Sequence, residues 1–234
     1  PTYRGNPARS GLVDSVVPAG LEPGWSRELG GKLSSVTAAG GRIYVAAVDR
    51  HMVYSLDEKT GEVLWRYTAG GRVDTPPTIY RGGVYFGSAD GWVYALRAED
   101  GELAWRFRGA PDDRRVFVRG QLESAWPVHG GVLVSGGKVM FAAGRSSYLD
   151  GGLRLCRLDA ATGEPVSRTV VYSPGPDGKQ PGERGRDVRG LLNDILLADG
   201  KDVYIRHCKL DFEKGSEQGG GVHLFSPLGF LDDT

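Results

Sequence analysis

Residues 55–65 read SLDEKTGEVLW, and residues 95–105 read ALRAEDGELAW. Leu56, Gly61, Glu62 and Trp65 thus recur forty positions later as Leu96, Gly101, Glu102 and Trp105. The match extends upstream, where GRIYVAAVD (41–49) aligns with GGVYFGSAD (82–90). A third copy is RLDAATGEPVS (157–167), preceded by GGKVMFAAG (136–144). A fourth and weaker copy is GKDVYIRH (200–207), followed by GVHLFSPLG (221–229). GWSRELG (24–30) resembles the end of a unit, GELAWRFRG. Self-similarity at a period near forty residues is the signature of a repeat architecture.

Each copy reads as four short strands, A to D. In the second, residues 78–80, 84–87, 92–96 and 103–107 are rich in β-branched and aromatic side chains. Gly82-Gly83, Asp90-Gly91 and Asp100-Gly101 supply the turns between them. Four antiparallel strands per unit is the arithmetic of a β-propeller blade. The expected blades are 34–73, 74–109, 126–172 and 191–234, with a strand at 24–30 completing a last blade. Two closures stay open. The chain is part of a seven- or eight-bladed ring, or the 24–30 strand closes a ring of four.

Composition agrees with an all-β chain. Glycine supplies 37 of 234 residues, about twice the usual share of roughly 7%. Lys+Arg and Asp+Glu are both 29, which argues against a basic nucleic-acid footprint. The longest apolar run, Ile43 to Val48, is far short of the ~18 residues a spanning helix needs. The chain opens on Pro1 without an initiator Met, and the expectation is a processed chain or part of a longer one.

The pattern LDxxTGExxW resembles the blade signature of the quinoprotein-like (PQQ-type) propellers. In that family the Trp docks between neighbouring blades and the TG closes the C–D turn. Leu56, Asp57, Thr60, Gly61 and Trp65 match in full. The second unit keeps Leu96, Gly101 and Trp105 but has Arg97 and Asp100. The third keeps Leu158, Asp159, Thr162 and Gly163 but has Ser167 in place of Trp, which implies a weaker contact there. TYRGNPARSG (2–11) is similar to the segment before the first blade in the same family, and ESAWPVHGGVLV and AAGRSSYLDGG resemble large bacterial propellers of unestablished function. The resemblance implies an extracytoplasmic, periplasmic protein. It includes scaffolds such as outer-membrane assembly lipoproteins, so a protein partner is one expectation.

The resemblance also implies an alternative, a partial PQQ-dependent oxidoreductase. That chemistry would bring adjacent cysteines and a Ca²⁺ site of Glu, Asn and Asp. Cys156 and Cys208 are far apart, and with His51, His129, His207 and His223 they show no zinc spacing. Cys156 stands where Tyr54 and Tyr94 stand in other units, which suggests a buried inert thiol. Ser146, Ser147 and Asp150 in SSYLDGG have no His nearby and read as a glycine-rich turn. The expectation is therefore no catalytic residue, no metal and no cofactor outside the PQQ alternative.

In a propeller the D–A and B–C loops share one face. The lengthened loops, at 109–123, 145–152 and 173–190, all fall there, and insertions on one face mark a binding side. They carry Arg114, Arg115, Arg119, Arg145, Arg184, Arg186 and Arg189, in a chain with 22 Arg and 7 Lys. Guanidinium forks suit carboxylate, sulfate or phosphate. Trp92 and Trp126 could stack on a sugar. The expectation is an interaction or ligand-binding scaffold, its ligand anionic or a glycan. The opposing reading is a solvated loop in which Asp112, Asp113, Asp177, Glu183 and Asp187 neutralise the arginines.

Overall fold

Runs such as Tyr44–Ala47 are apolar at every position. Successive strand side chains point to opposite faces, so such a strand is buried on both. The computed structural model, which describes residues 1–12, 16, 18–174, 191–206 and 208–218, shows the consequence. Tyr44 and Ala46 pack toward the following sheet, while Val45 and Ala47 pack backward against Trp25 and Leu29.

The first sheet is a meander of β1 (Thr37–Ala39), β2 (Arg42–Ala47), β3 (Met52–Asp57) and β4 (Val63–Thr68). The second is β5 (Thr78–Tyr80), β6 (Gly83–Gly87), β7 (Trp92–Arg97) and β8 (Leu103–Arg108). A separate hairpin, β9 (Arg115–Val118) and β10 (Gln121–Ser124), follows. The third sheet is β11 (Leu133–Ser135), β12 (Lys138–Ala143), β13 (Leu153–Asp159) and β14 (Pro165–Val171). The fourth is β15 (Leu196–Asp199), β16 (Asp202–Ile205), β17 (Cys208–Asp211) and β18 (Ser216–Gln218). All pairings are antiparallel. The sheets are blades of a β-propeller, with β1, β5, β11 and β15 innermost and each beside the next.

The core lies between blades. Val84, Phe86, Tyr94 and Leu96 meet Tyr44, Val53 and Trp65 of the first blade. Tyr85, Val93 and Ala95 on the opposite face meet Val139, Phe141, Cys156 and Leu158 of the third. Indoles close these layers at the rim. Trp65 Nε1 donates to Ala98 O at 2.9 Å, and Trp105 Nε1 to Ala160 O at 3.1 Å. Trp25 Nε1 makes the equivalent bond to Glu58 O at 2.9 Å.

Two expectations need correction. Residues 24–30 form no strand; their role is the Trp25 contact and an Arg27 Nε bond to Gly61 O at 2.8 Å. The fourth blade instead takes its outer strand from β18. Its turn is Leu210–Gly215, reading LDFEKG, the counterpart of LDEKTG at 56–61. Asp57 Oδ1 accepts from the Lys59 and Thr60 amides, and Asp211 Oδ1 accepts from those of Glu213 and Lys214. The copy expected at 221–229 lies outside the described residues.

The N-terminal segment meets the inner strands through Pro1, Thr2, Pro7 and Arg9. Pro1 O accepts from Ile79 N and Pro7 O from Ala198 N, at 2.8 and 2.9 Å. Thr2 and Thr78 share a hydrogen bond of 2.7 Å. Arg9 is 1% exposed and gives its Nε proton to Leu196 O at 3.0 Å. Burial pushes its guanidinium down to about 10.

Candidate functional site

Loops between blades and within blades meet on one face through main-chain bonds. Ala89 N donates to Arg72 O, Ser124 N to Ala89 O, Gly144 N to Pro127 O and Ser147 N to Leu191 O. Each D–A loop is thereby fastened to a neighbouring B–C turn, at Arg72 and Pro127 to that of the blade after it and at Ser124 and Leu191 to that of the blade before it. The 109–123 insertion is largely the β9–β10 hairpin. Arg119 and Gly120, at φ 50° and 79°, make its two-residue turn. The hairpin reaches back to the first blade, where Gln121 bonds His51 Nε2 at 2.8 Å and Asp49 O at 3.2 Å.

Among the described residues the face carries three groups of side chains. In the first, Arg114 and Arg145 converge on the Asp150 carboxylate, Arg114 at 2.6 Å. The Arg114 guanidinium lies 4.6 Å over the Trp126 ring, whose Nε1 donates to Asp150 O at 2.7 Å. Trp126 is 5% exposed, which corrects the expectation that its ring is free to stack on a sugar. Its polar edge and one face are already taken.

The second group lines a cavity of about 190 Å³ with Asp90, Trp92, Arg106, Asp112, Arg115 and Ser124. Arg106 lies 4.6 Å over the Trp92 ring. Tyr94 donates to Asp90 Oδ2 at 2.5 Å, and burial with this carboxylate raises the phenol pKa. Asp113 pairs with Arg108 at 2.5 Å.

The third group has no signature in the sequence. Arg72 and Glu123, both buried, pair at 3.0 Å. His129 Nδ1 meets Asp74 Oδ2 at 2.5 Å, and its Nε2 is 3.8 Å from Glu123 Oε2. Burial opposes ionisation of Asp74. The His129 hydrogen bond, then the charges of His129, Arg72 and Arg119, outweigh it and hold the carboxyl below its ordinary range. The members come from two successive D–A connections, so no spacing could have found them. Arg119, in the hairpin turn, forms no ion pair among the described residues but its charge bears on Asp74, and Arg184, Arg186 and Arg189 lie outside the described residues.

The blade residues sit at the junctions. Trp65 lies on Gly101 and Trp105 on Gly163, while Trp25 lies on Gly61. Leu56, Leu96 and Leu158 are buried beside them. Among the described residues no cluster of His, Cys, Asp or Glu is placed to hold a metal ion. The three carboxylate and imidazole groups nearest one another spend their contacts on each other and on Arg72. No helix of the described residues is long and apolar enough to cross a membrane.

The family described as outer membrane protein assembly factor BamB matches residues 9–211. A protein of that description from Burkholderia pseudomallei is 29% identical over 183 residues, 77% of this chain and 42% of its own length. The dehydrogenase subunit of a quinone-dependent alcohol dehydrogenase from Gluconobacter oxydans is 30% identical over 185 residues, 74% of this chain and 22% of its own. The crystal structure of BamB from Moraxella catarrhalis superposes with a TM-score of 0.53 and 16% identity, covering 78% of this chain and 49% of that one. The chain therefore spans less than half the length of these relatives.

Proposed function

This chain belongs to the family of outer membrane protein assembly factor BamB, and we propose that it is a non-catalytic protein-interaction scaffold serving outer-membrane protein assembly in the periplasm. The observation that carries this reading is the state of the loop face. Its hairpin is clamped to the first two blades, and most of the charges on its described residues are matched internally. A rigid, charge-compensated surface suits docking against a folded or extended protein partner. A small anionic or glycan ligand has less to hold, because Asp150 occupies Arg114 and Arg145 and both indole faces carry arginines.

The relationship to quinone-dependent dehydrogenases raises PQQ and Ca²⁺ as an alternative. The donor chemistry of the described residues does not fit that group. No metal-capable cluster is present among them, the two cysteines are not adjacent, and Pro1, Thr2, Pro7 and Arg9 bond to the inner strands.

The test is deletion of the gene in its own organism, with folded outer-membrane β-barrel proteins measured by their heat-modifiable mobility. The expected outcome is a fall in folded barrels that the wild-type gene restores. Unchanged barrel levels would overturn the scaffold reading.

A further inference from the structure

The β9–β10 hairpin has two unlike faces. Its inner face is fixed by Glu123, buried against Arg72, and by Gln121, bonded to the first blade. Its outer face carries Phe117, 74% exposed, and Leu122, 59% exposed. These two are direct cross-strand partners, so they form one apolar ridge rather than two scattered side chains. A rigid hairpin that exposes such a ridge is unusual, because burying it would be favourable.

Arginines flank the ridge. Arg115 is two positions before Phe117, on the same side of the strand, and Arg119 is two positions after it at the turn. Both are exposed. Neither has a carboxylate within ion-pair distance among the described residues, unlike Arg108, Arg114 and Arg145.

We propose that this outer face docks an extended acidic segment of a partner protein. A large apolar side chain of the segment packs on Phe117 and Leu122, and carboxylates two positions to either side meet Arg115 and Arg119. On the Arg115 side the spacing follows from strand geometry, since residues two apart on an extended partner repeat at the same interval as Arg115 and Phe117 on β9; Arg119 reaches the segment from the turn just beyond the strand. A second copy of the chain is the poorer occupant. Two four-residue strands present far less than the ~800 Å² per partner of a stable protein–protein interface, while a short peptide needs no more than this strip. The proposal rests on the scaffold reading and specifies where a partner binds.

The test is fluorescence anisotropy of the full chain with two labelled peptides. One has a central phenylalanine with glutamates two positions to either side; the other has lysines there. The acidic peptide should bind. Phe117→Ser with Leu122→Ser should weaken it about tenfold or more, and added salt should weaken it further. Arg115→Glu with Arg119→Glu should reverse the preference to the lysine peptide, an outcome that misfolding cannot imitate. Leu149→Ser, which alters another exposed apolar residue, should leave binding unchanged. The proposal is overturned if the acidic peptide does not bind, if both peptides bind alike, or if the serine pair leaves affinity intact. It is also overturned if sedimentation shows a dimer that the serine pair dissociates. In these cases the scaffold reading stands or falls separately, on barrel levels in the deletion strain.

Discussion

Trp65 lies flat on Gly101 of the next blade: a Cβ built at Gly101 would sit 2.6 Å from the indole. The same glycine has φ 77°, in the left-handed region. Two independent demands therefore meet at one residue, a backbone that only glycine adopts freely and a ring that leaves no room for a methyl.

Gly82 separates these demands. Its φ is 78°, but nothing lies within 4 Å of its Cβ position. Gly82→Ala should cost only the backbone strain, about 1 kcal/mol. Gly101→Ala should cost that plus displacement of Trp65, about 2–4 kcal/mol in total. Urea denaturation of the two variants measures the difference. Equal losses would mean the indole contact carries no stability.

The third junction is built differently. Ser167 replaces the Trp, and Thr169 Oγ1 bonds Phe212 O at 3.4 Å, the carbonyl equivalent to those that Trp65 and Trp105 engage. Without a ring between them the strands approach directly, and a Cβ at Gly215 would lie 2.6 Å from Val170 O. Trp105→Ala should cost about 3 kcal/mol or more, and Thr169→Val less than about 1 kcal/mol. Hydrogen exchange should show amides of the fourth blade opening before those of the second. Uniform protection across both would refute the weaker junction.

The repeat was legible because its determinants are local. Apolar runs, Asp-Gly turns and the TG step sit at fixed spacing within one unit. The fourth turn was equally local at Leu210–Gly215, yet Lys214 in the Thr position and the missing Trp hid it. Residues 24–30 kept the Trp of a strand without a partner to make one. The arginine-rich face was visible in composition, but its pairing was not. Nothing in the spacing of Arg114, Trp126 and Asp150 says that they meet, because a D–A connection and the B–C loop of the third blade bring them together. Arg72, Asp74, Glu123 and His129 were hidden for the same reason.

The two cysteines should differ sharply as nucleophiles. Cys156 is 3% exposed between the second and third blades, and burial pushes its thiol up to about 12. The thiolate is the reactive form, so almost none is present at mildly alkaline pH. Cys208 is partly buried, at the end of β17. A thiol reagent should modify one group per folded chain and the second only in denaturant, and Cys208→Ser should abolish the first phase. Rapid modification of both in the folded protein would contradict the packing.

The buried ion network ties stability to pH, with a definite sign. Asp74 ionises more readily folded than unfolded, for the hydrogen bond and charges around it outweigh its burial. The folded state therefore binds fewer protons near the Asp74 pKa. The stability it contributes is present above the unfolded pKa of about 4 and is lost as pH falls through the lower, folded value. Asp57, Asp159 and Asp211 shift in the same direction, through turn amides and, first for Asp159, Lys138, so part of the acid slope belongs to them. Asp74→Asn should flatten the acid limb of the melting curve without removing it, and should lower the melting temperature at neutral pH. Glu123→Gln should do more at neutral pH. Arg72 would keep its burial and lose its 3.0 Å partner, retaining only Asp74 at 3.6 Å, so the loss should stay below the about 3–5 kcal/mol of a fully stranded buried charge. An acid limb in Asp74→Asn parallel to the wild type would assign the pH dependence wholly to the turns.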